Sequence, residues 1–260
     1  MPTARTVASR SYHERGMAER RYVNPDFHLE PGDLHAEMDR LRATPTALTR
    51  PVVILGGWHS PGVANISLES RIKPFTSARD EDFTSITYPW SFSLRSAAEH
   101  AMGVIRARGL EQREIDVVGI SMGGIIARSL ACDVLGLGNL KVRRIFTVAT
   151  PHRGAMIAKV VVPDTCARDM RPGSRYLCSL NERSATQELH CYAALRDWWI
   201  GARNTAPPGM HPYWVDVEPG IGRLCTHFAI NRSQHVMIDI ARRLRGEAPI
   251  ARRATEPPIN

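Results

Sequence analysis

Residues 115–123, Ile-Asp-Val-Val-Gly-Ile-Ser-Met-Gly, constrain the fold more than any other stretch of this chain. Ile115, Val117 and Val118 are β-branched and apolar and read as a strand. The residues from Met122 onward, MGGIIARSLACDVL, are rich in helix formers and predict a helix over residues 122–135. Strand must therefore become helix at Ser121 with almost no linker. So sharp a turn forces Ser121 into a strained backbone conformation and draws positions 119 and 123 together, where side chains would clash. Glycine at both positions has that steric reason. The serine oxygen is held out beside a helix N-terminus, whose dipole favours negative charge.

The same alternation runs through the chain from residue 51. Val52-Val53-Ile54-Leu55 is a continuous apolar run ending in Gly56-Gly57, as expected of a strand buried on both faces. Further strands are predicted over residues 83–88, stopped by Pro89, and over 115–118, 142–148, 189–194 and 213–217. Ala97, Ala98, Ala101, Met102 and Ile105 recur at helical spacing over 94–106, and residues 233–244 read as a closing amphipathic helix. Strands alternating with helices predict an α/β fold, a mostly parallel central sheet with helices on both faces. Residues 155–186 break the pattern with Pro163, Pro172 and Gly173, and are expected to form an insertion over the top of the sheet. Residues 1–48 read as an N-terminal extension. It carries one short docking helix, with Asp33 as its N-cap, Leu34, Met38 and Leu41 on one face and Pro45 as its stop. Residues 49–247 are then the main domain and 248–260 a basic C-terminal tail.

Composition narrows the function classes. A chain of 260 residues with 43% hydrophobic and 23% charged residues is expected to build one globular core. No apolar run is long enough for a transmembrane segment, and the first residues lack the apolar stretch of a secretory signal. A cytoplasmic location is expected, with organelle targeting left open by the Arg- and Ser-rich start. The net charge of +8 comes almost wholly from arginine, scattered along the chain. No nucleic-acid partner is expected, and weak association with anionic surfaces is the alternative. Cysteines 132, 166, 178, 191 and 225 are odd in number and lack CxxC spacing, which indicates neither a zinc site nor a disulfide framework. Reduced thiols are expected, and a Cys166–Cys178 bridge is the alternative for an exported protein. No metal-ligand cluster is apparent, and no cofactor is expected.

Gly119-Ile120-Ser121-Met122-Gly123 is a G-x-S-x-G. Set in DVVGISMGGIIARSL and followed by FTVATPHRGAMIAK, with its T-P-H-x-G, it resembles the lipase and esterase branch of the α/β-hydrolase superfamily. DMRPGSRYLCSLN resembles a segment common after it in lipase-like members. The resemblance covers about residues 50–245 and leaves the extension outside. Ile120 stands where many lipases have His, a neighbour that does no chemistry.

The resemblance implies the α/β-hydrolase fold and a serine hydrolase acting on a small-molecule ester or lipid through an acyl-enzyme. A serine hydroxyl is a poor nucleophile at neutral pH and needs a general base oriented by a carboxylate, in the chain order Ser, acid, His for this fold. Histidines 152, 190, 211, 227 and 235 follow Ser121. His227, in CTHFAI just before the closing helix, matches the place of the catalytic His in similar hydrolases. His152 belongs to T-P-H-x-G, where the resemblance makes it structural. His235 lies in the closing helix and is expected at the surface, and His211 is the reserve candidate. Asp197, at the carboxyl end of the predicted strand 189–194, is the expected acid, with Asp216 and Glu218 as alternatives. One oxyanion donor is the Met122 N–H, next to the serine. By the resemblance the other is the Trp58 N–H, although Gly56 replaces the His usual in that loop. Trp58 and Trp90 are expected to line an apolar acyl pocket, or else to pack in the core. Acyl transfer and amide hydrolysis would use the same triad, and a binding module without chemistry is the alternative outside enzymes.

Overall fold

The computed structural model describes residues 22, 24, 26, 27, 29, 31–60, 62–89, 91–160, 164–183, 186–218 and 226–260. Six strands among them form one sheet: β1 (Val52–Leu55), β2 (Phe83–Ile86), β3 (Ile115–Ile120), β4 (Val142–Val148), β5 (Glu188–Ala194) and β6 (Tyr213–Val215). Their order is β2-β1-β3-β4-β5-β6, and every neighbouring pair is parallel. Parallel neighbours need crossover connections. The helices that precede, connect and follow the strands are α1 (Pro31–Ala43), α2 (Val63–Ile72), α3 (Leu94–Ala107), α4 (Met122–Ala131), α5 (Thr165–Asp169), α6 (Arg175–Glu182), α7 (Thr226–Ala229) and α8 (Gln234–Leu244).

The apolar runs are continuous because the sheet is covered on both faces. Along β1, Val53 and Leu55 join a core with Ala101 and Ile105 of α3 and Ile125 and Leu130 of α4. Val52 and Ile54 point the other way, into a core with Leu68 and Ile72 of α2 and Val236 and Ile240 of α8. Alternate residues enter opposite cores, so no position on the strand is left polar.

Leu34 and Leu41 of α1 join that second core. The helix starts at Pro31, so Asp33 is not its N-cap. Proline suits the first helical position, and Asp33 lies in the first turn, where a carboxylate meets the positive end of the dipole. Buried Arg245, just past α8, donates to the carbonyls of Leu41 (3.1 Å), Thr44 (2.7 Å) and Phe75 (2.5 Å), fixing the end of α1.

Helix α2 has no counterpart among the elements expected from the sequence. Its segment VANISLESRI mixes polar and apolar residues, and among its side chains Asn65, Leu68 and Ile72 are fully buried. Several ends also differ from expectation. β2 stops at Ile86 and β6 at Val215, while β3 runs on to Ile120. α4 ends at Ala131, where Asp133 at φ 47° turns the chain away from the helix. The 155–186 region holds a 3-10 turn at Ile157–Lys159 together with α5 and α6. Cys166 is buried in α5 and Cys178 is exposed on α6, and both are free thiols, as are Cys132 and Cys191; Cys166 and Cys178 form no bridge. Near the C-terminus Ile250 and Ala251 are buried, and Ala251 pairs with Phe27 in an isolated bridge. No helix of the described residues is long and apolar enough to cross a membrane.

Candidate active site

The strand order reverses between β1 and β3, and in open α/β sheets the crevice at such a switch point, beyond the carboxyl ends of the strands, takes ligands. Two turns open there: residues 56–60 after β1 and Ser121 after β3. Ser121 has φ 52° and ψ −121°, a sparsely populated conformation. A Cβ on Gly123 would stand 2.1 Å from the Leu55 carbonyl oxygen, and one on Gly119 2.4 Å from Gly124 Cα. Both glycines are therefore required by contact. The strain is held by hydrogen bonds on either side: Ser121 N–H donates to the Val148 carbonyl (2.8 Å), and Thr150 Oγ1 donates to the Ser121 carbonyl (2.8 Å). Four non-glycine residues at positive φ, His59, Ser121, Ala149 and Arg196, follow β1, β3, β4 and β5 respectively. Backbone strain gathers along the edge of the sheet where the crevice lies.

His227 enters from α7. Its Nε2 stands 3.1 Å from Ser121 Oγ and its Nδ1 2.7 Å from Asp197 Oδ2. A carboxylate only accepts, so Nδ1 carries the proton and donates to Asp197, leaving Nε2 to accept from the serine hydroxyl. Asp197 is fully buried, and its Oδ1 accepts the N–H groups of Trp199 (3.1 Å) and Ile200 (3.3 Å). The Trp199 ring stacks on the imidazole, centroids 5.4 Å apart and planes 20° apart. The arrangement can move a proton from Ser121 to His227 while a buried carboxylate stabilises the imidazolium.

The other candidates lie elsewhere. Asp216 is paired with Arg196 at 2.5 Å and accepts the Tyr22 N–H. Glu218 lies beyond the end of β6, and it is Asp197 that bonds His227 Nδ1. His211 is exposed. His152 is wholly buried: Arg128 donates to its Nδ1 (3.2 Å), and its Nε2 donates to Thr147 Oγ1 (3.0 Å). Burial, with the charges of Arg128 and Arg153, holds its pKa well below the usual histidine range. His235 is not at the surface as expected. It is half-buried against Phe27, ring centroids 5.4 Å apart, because the N-terminal segment crosses α8 there. Trp90 lies outside the described residues.

Met122 opens α4, so its N–H falls outside the helical ladder. Trp58 is half-buried in the loop after β1, which lies against the serine: a Cβ on Gly57 would stand 3.4 Å from Ser121 Cβ. Two residues missed in the sequence shape this loop. Asn65 of α2 occupies the space beside Gly56, where a Cβ would meet its Oδ1 at 3.0 Å, and its Nδ2 donates to the Ile86 carbonyl (2.8 Å). That packing explains why a small residue stands at 56. Asp164 Oδ2 accepts from Trp58 Nε1 (3.3 Å) and bonds His59 Nε2 (3.0 Å), while its Oδ1 caps α5 at Ala167 N–H (2.9 Å). Burial raises the Asp164 pKa, but the donors Ala167, His59 and Trp58 outweigh it and leave the carboxyl below its ordinary range. No local sequence signal marks either residue, since each acts across the fold.

Ser121 and His227 open on a mostly apolar cavity of about 170 Å³, with Trp58, Ile157, Met170 and Trp199 among its walls.

No protein-family model and no curated protein sequence matches the chain. Solved structures do. The propeptide form of the lipase BlEst2 from Bacillus licheniformis superposes with a TM-score of 0.59 at 15% identity, over 82% of this chain and 54% of that one. The mature form of BlEst2 gives a TM-score of 0.53 at 15% identity, over 72% of this chain and 89% of that one. Phospholipase PlaB from Legionella pneumophila gives 0.47 at 16% identity, over 57% of this chain, and the match spans only 40% of PlaB.

Proposed function

The chain has the α/β-hydrolase fold, and from that premise we propose that it is a serine hydrolase cleaving carboxylic esters of small acyl groups. The observation that carries this reading is the unbroken line from Ser121 Oγ to His227 (3.1 Å) and from His227 to Asp197 (2.7 Å), opening on an apolar cavity. Ser121 Oγ attacks the acyl carbon as its proton passes to His227 Nε2. The Met122 and Trp58 N–H groups stabilise the oxyanion. His227 then protonates the departing alcohol, leaving an acyl-Ser121. Water, deprotonated by His227, attacks that ester, and the acid leaves as Ser121 regains its proton. Asp197 keeps the imidazole in the working tautomer throughout.

The lipase BlEst2 supports an ester as substrate. Cavity size supports a short acyl group: a dry cavity of about 150 Å³ holds a benzene-sized guest, and this one measures about 170 Å³. The test is hydrolysis of nitrophenyl esters from acetate to palmitate by the wild type and by folded Ser121→Ala. Short esters are expected to turn over fastest, and the variant to lose on the order of 10⁴-fold or more. Absence of turnover, together with no labelling of Ser121 by a fluorophosphonate, would overturn the reading.

A further inference from the structure

Thr150 opens the T-P-H-x-G stretch, and the steps proposed above give it no part. It follows β4 and is fully buried, and its Oγ1 donates to the Ser121 carbonyl at 2.8 Å. The Gly124 N–H donates to the same carbonyl at 3.1 Å, so both lone pairs of that oxygen are engaged. Gly124 also packs against the hydroxyl: a Cβ there would stand 2.1 Å from Thr150 Oγ1. The backbone around Thr150 is fixed in turn. Ala149 N–H donates to the Tyr192 carbonyl (2.9 Å), His152 N–H to the Thr150 carbonyl (2.9 Å), and Asn181 Nδ2 to the His152 carbonyl (2.9 Å).

The Ser121 carbonyl and the Met122 N–H belong to one peptide group. A trans peptide is planar, with its C=O and N–H pointing in opposite directions. Whatever fixes that carbonyl therefore aims that N–H. Strand β3 lies between β1 and β4 in the sheet. Thr150 holds the carbonyl from the β4 side, which turns the N–H toward the β1 side. There the loop after β1 lies against the serine, with Gly57 beside Ser121 Cβ and Trp58 next along the chain. As the first residue of α4, Met122 has no acceptor for its N–H within the helix.

We infer that Thr150 is a positioning residue for the reaction: its hydroxyl holds the Ser121–Met122 peptide so that the Met122 N–H faces the developing oxyanion. This rests on the serine-hydrolase reading, in which Met122 supplies that donor. A donor fixed before the reaction costs no reorganisation, and it acts on charge that appears only in the transition state. Without the hydroxyl, the Gly124 N–H alone restrains the carbonyl, and a small tilt of the peptide is felt in the rate.

The experiment measures three quantities on the full chain. They are kcat/KM for nitrophenyl butyrate, Ki for a short trifluoromethyl ketone that adds to Ser121 as an oxyanion, and Ki for the unreactive amide N-propylbutyramide. Thr150→Val keeps the shape and drops the hydroxyl, whereas Thr150→Ser keeps the hydroxyl. In Thr150→Val, kcat/KM is expected to fall by about tenfold or more, the ketone Ki to rise by a similar factor, and the amide Ki to stay unchanged. Thr150→Ser is expected to remain within about threefold of the wild type on all three. Thr150→Ala and Thr150→Ser differ by the hydroxyl alone and give the same comparison where Thr150→Val does not fold. Loss of the hydroxyl without effect on kcat/KM and the ketone Ki overturns the inference. Equal losses in Thr150→Val and Thr150→Ser, or an amide Ki that rises as far as the ketone Ki, assign Thr150 to packing and overturn it too. A wild type that neither turns over the ester nor is labelled at Ser121 by a fluorophosphonate brings down the serine-hydrolase reading itself.

Discussion

His59 Nε2 stands 3.0 Å from Asp164 Oδ2, joining the loop after β1 to the start of α5. The same oxygen accepts from Trp58 Nε1 at 3.3 Å. The loop that carries the Trp58 N–H is thus latched to the segment that walls the cavity. His59 itself sits at φ 48°, so the loop relies on outside contacts to keep its shape.

Loosening that latch is expected to slow the reaction with less effect on binding. Asp164→Asn keeps an acceptor for the Ala167 N–H and should leave Tm nearly unchanged, while Asp164→Ala also removes the cap of α5 at about 1 kcal/mol. In both, kcat on a short ester should fall by about tenfold while KM moves less, because a misplaced donor is felt in the transition state. Steady-state kinetics beside a thermal melt decide it, and an unchanged kcat in both variants removes the latch from catalysis.

Asp197→Asn tests the orienting role of the carboxylate. An amide can present a donor to His227 Nδ1, which favours the opposite tautomer and puts a proton on the nitrogen facing Ser121. The expected loss in kcat is on the order of 10⁴-fold with the fold preserved. A loss below about tenfold, in a variant with native circular dichroism, would shift the role to another acid.

Stability is expected to fall as the solution is acidified from neutrality. Burial, with Arg128 and Arg153, pushes the His152 pKa well down. Burial, then Arg243, takes His190 down to about 4, partly opposed by Asp239. The unfolded chain takes up these protons around pH 6.5 while the folded chain still excludes them, so it holds the excess. Stability from these groups is therefore complete above pH 6.5 and declines toward pH 4, by up to about 1.4 kcal/mol per pH unit for each histidine. Urea unfolding between neutral pH and about pH 5 should show the decline, and His190→Gln should make it shallower. A slope unaffected by that substitution would count against the assignment.

The strands and the Ser121 turn were readable in the sequence because their constraints are local. A parallel strand covered on both faces must be apolar at every position, and Val52 to Leu55 announce it without reference to the rest of the chain. Gly119 and Gly123 are demanded by a turn a few residues long, whereas the order serine, acid, histidine left Asp216, Glu218 and His211 open beside Asp197 and His227, and only the fold sets His227 Nδ1 against Asp197. Only the tertiary structure decided the rest. Asn65 matters because α2 brings it under Gly56, and Asp164 because α5 faces the Trp58 loop. A lone Asn or Asp has no periodicity and no steric signature of its own. Its meaning comes from which buried groups the folded chain sets against it, and residues far apart in sequence meet only when the sheet and its helices have packed.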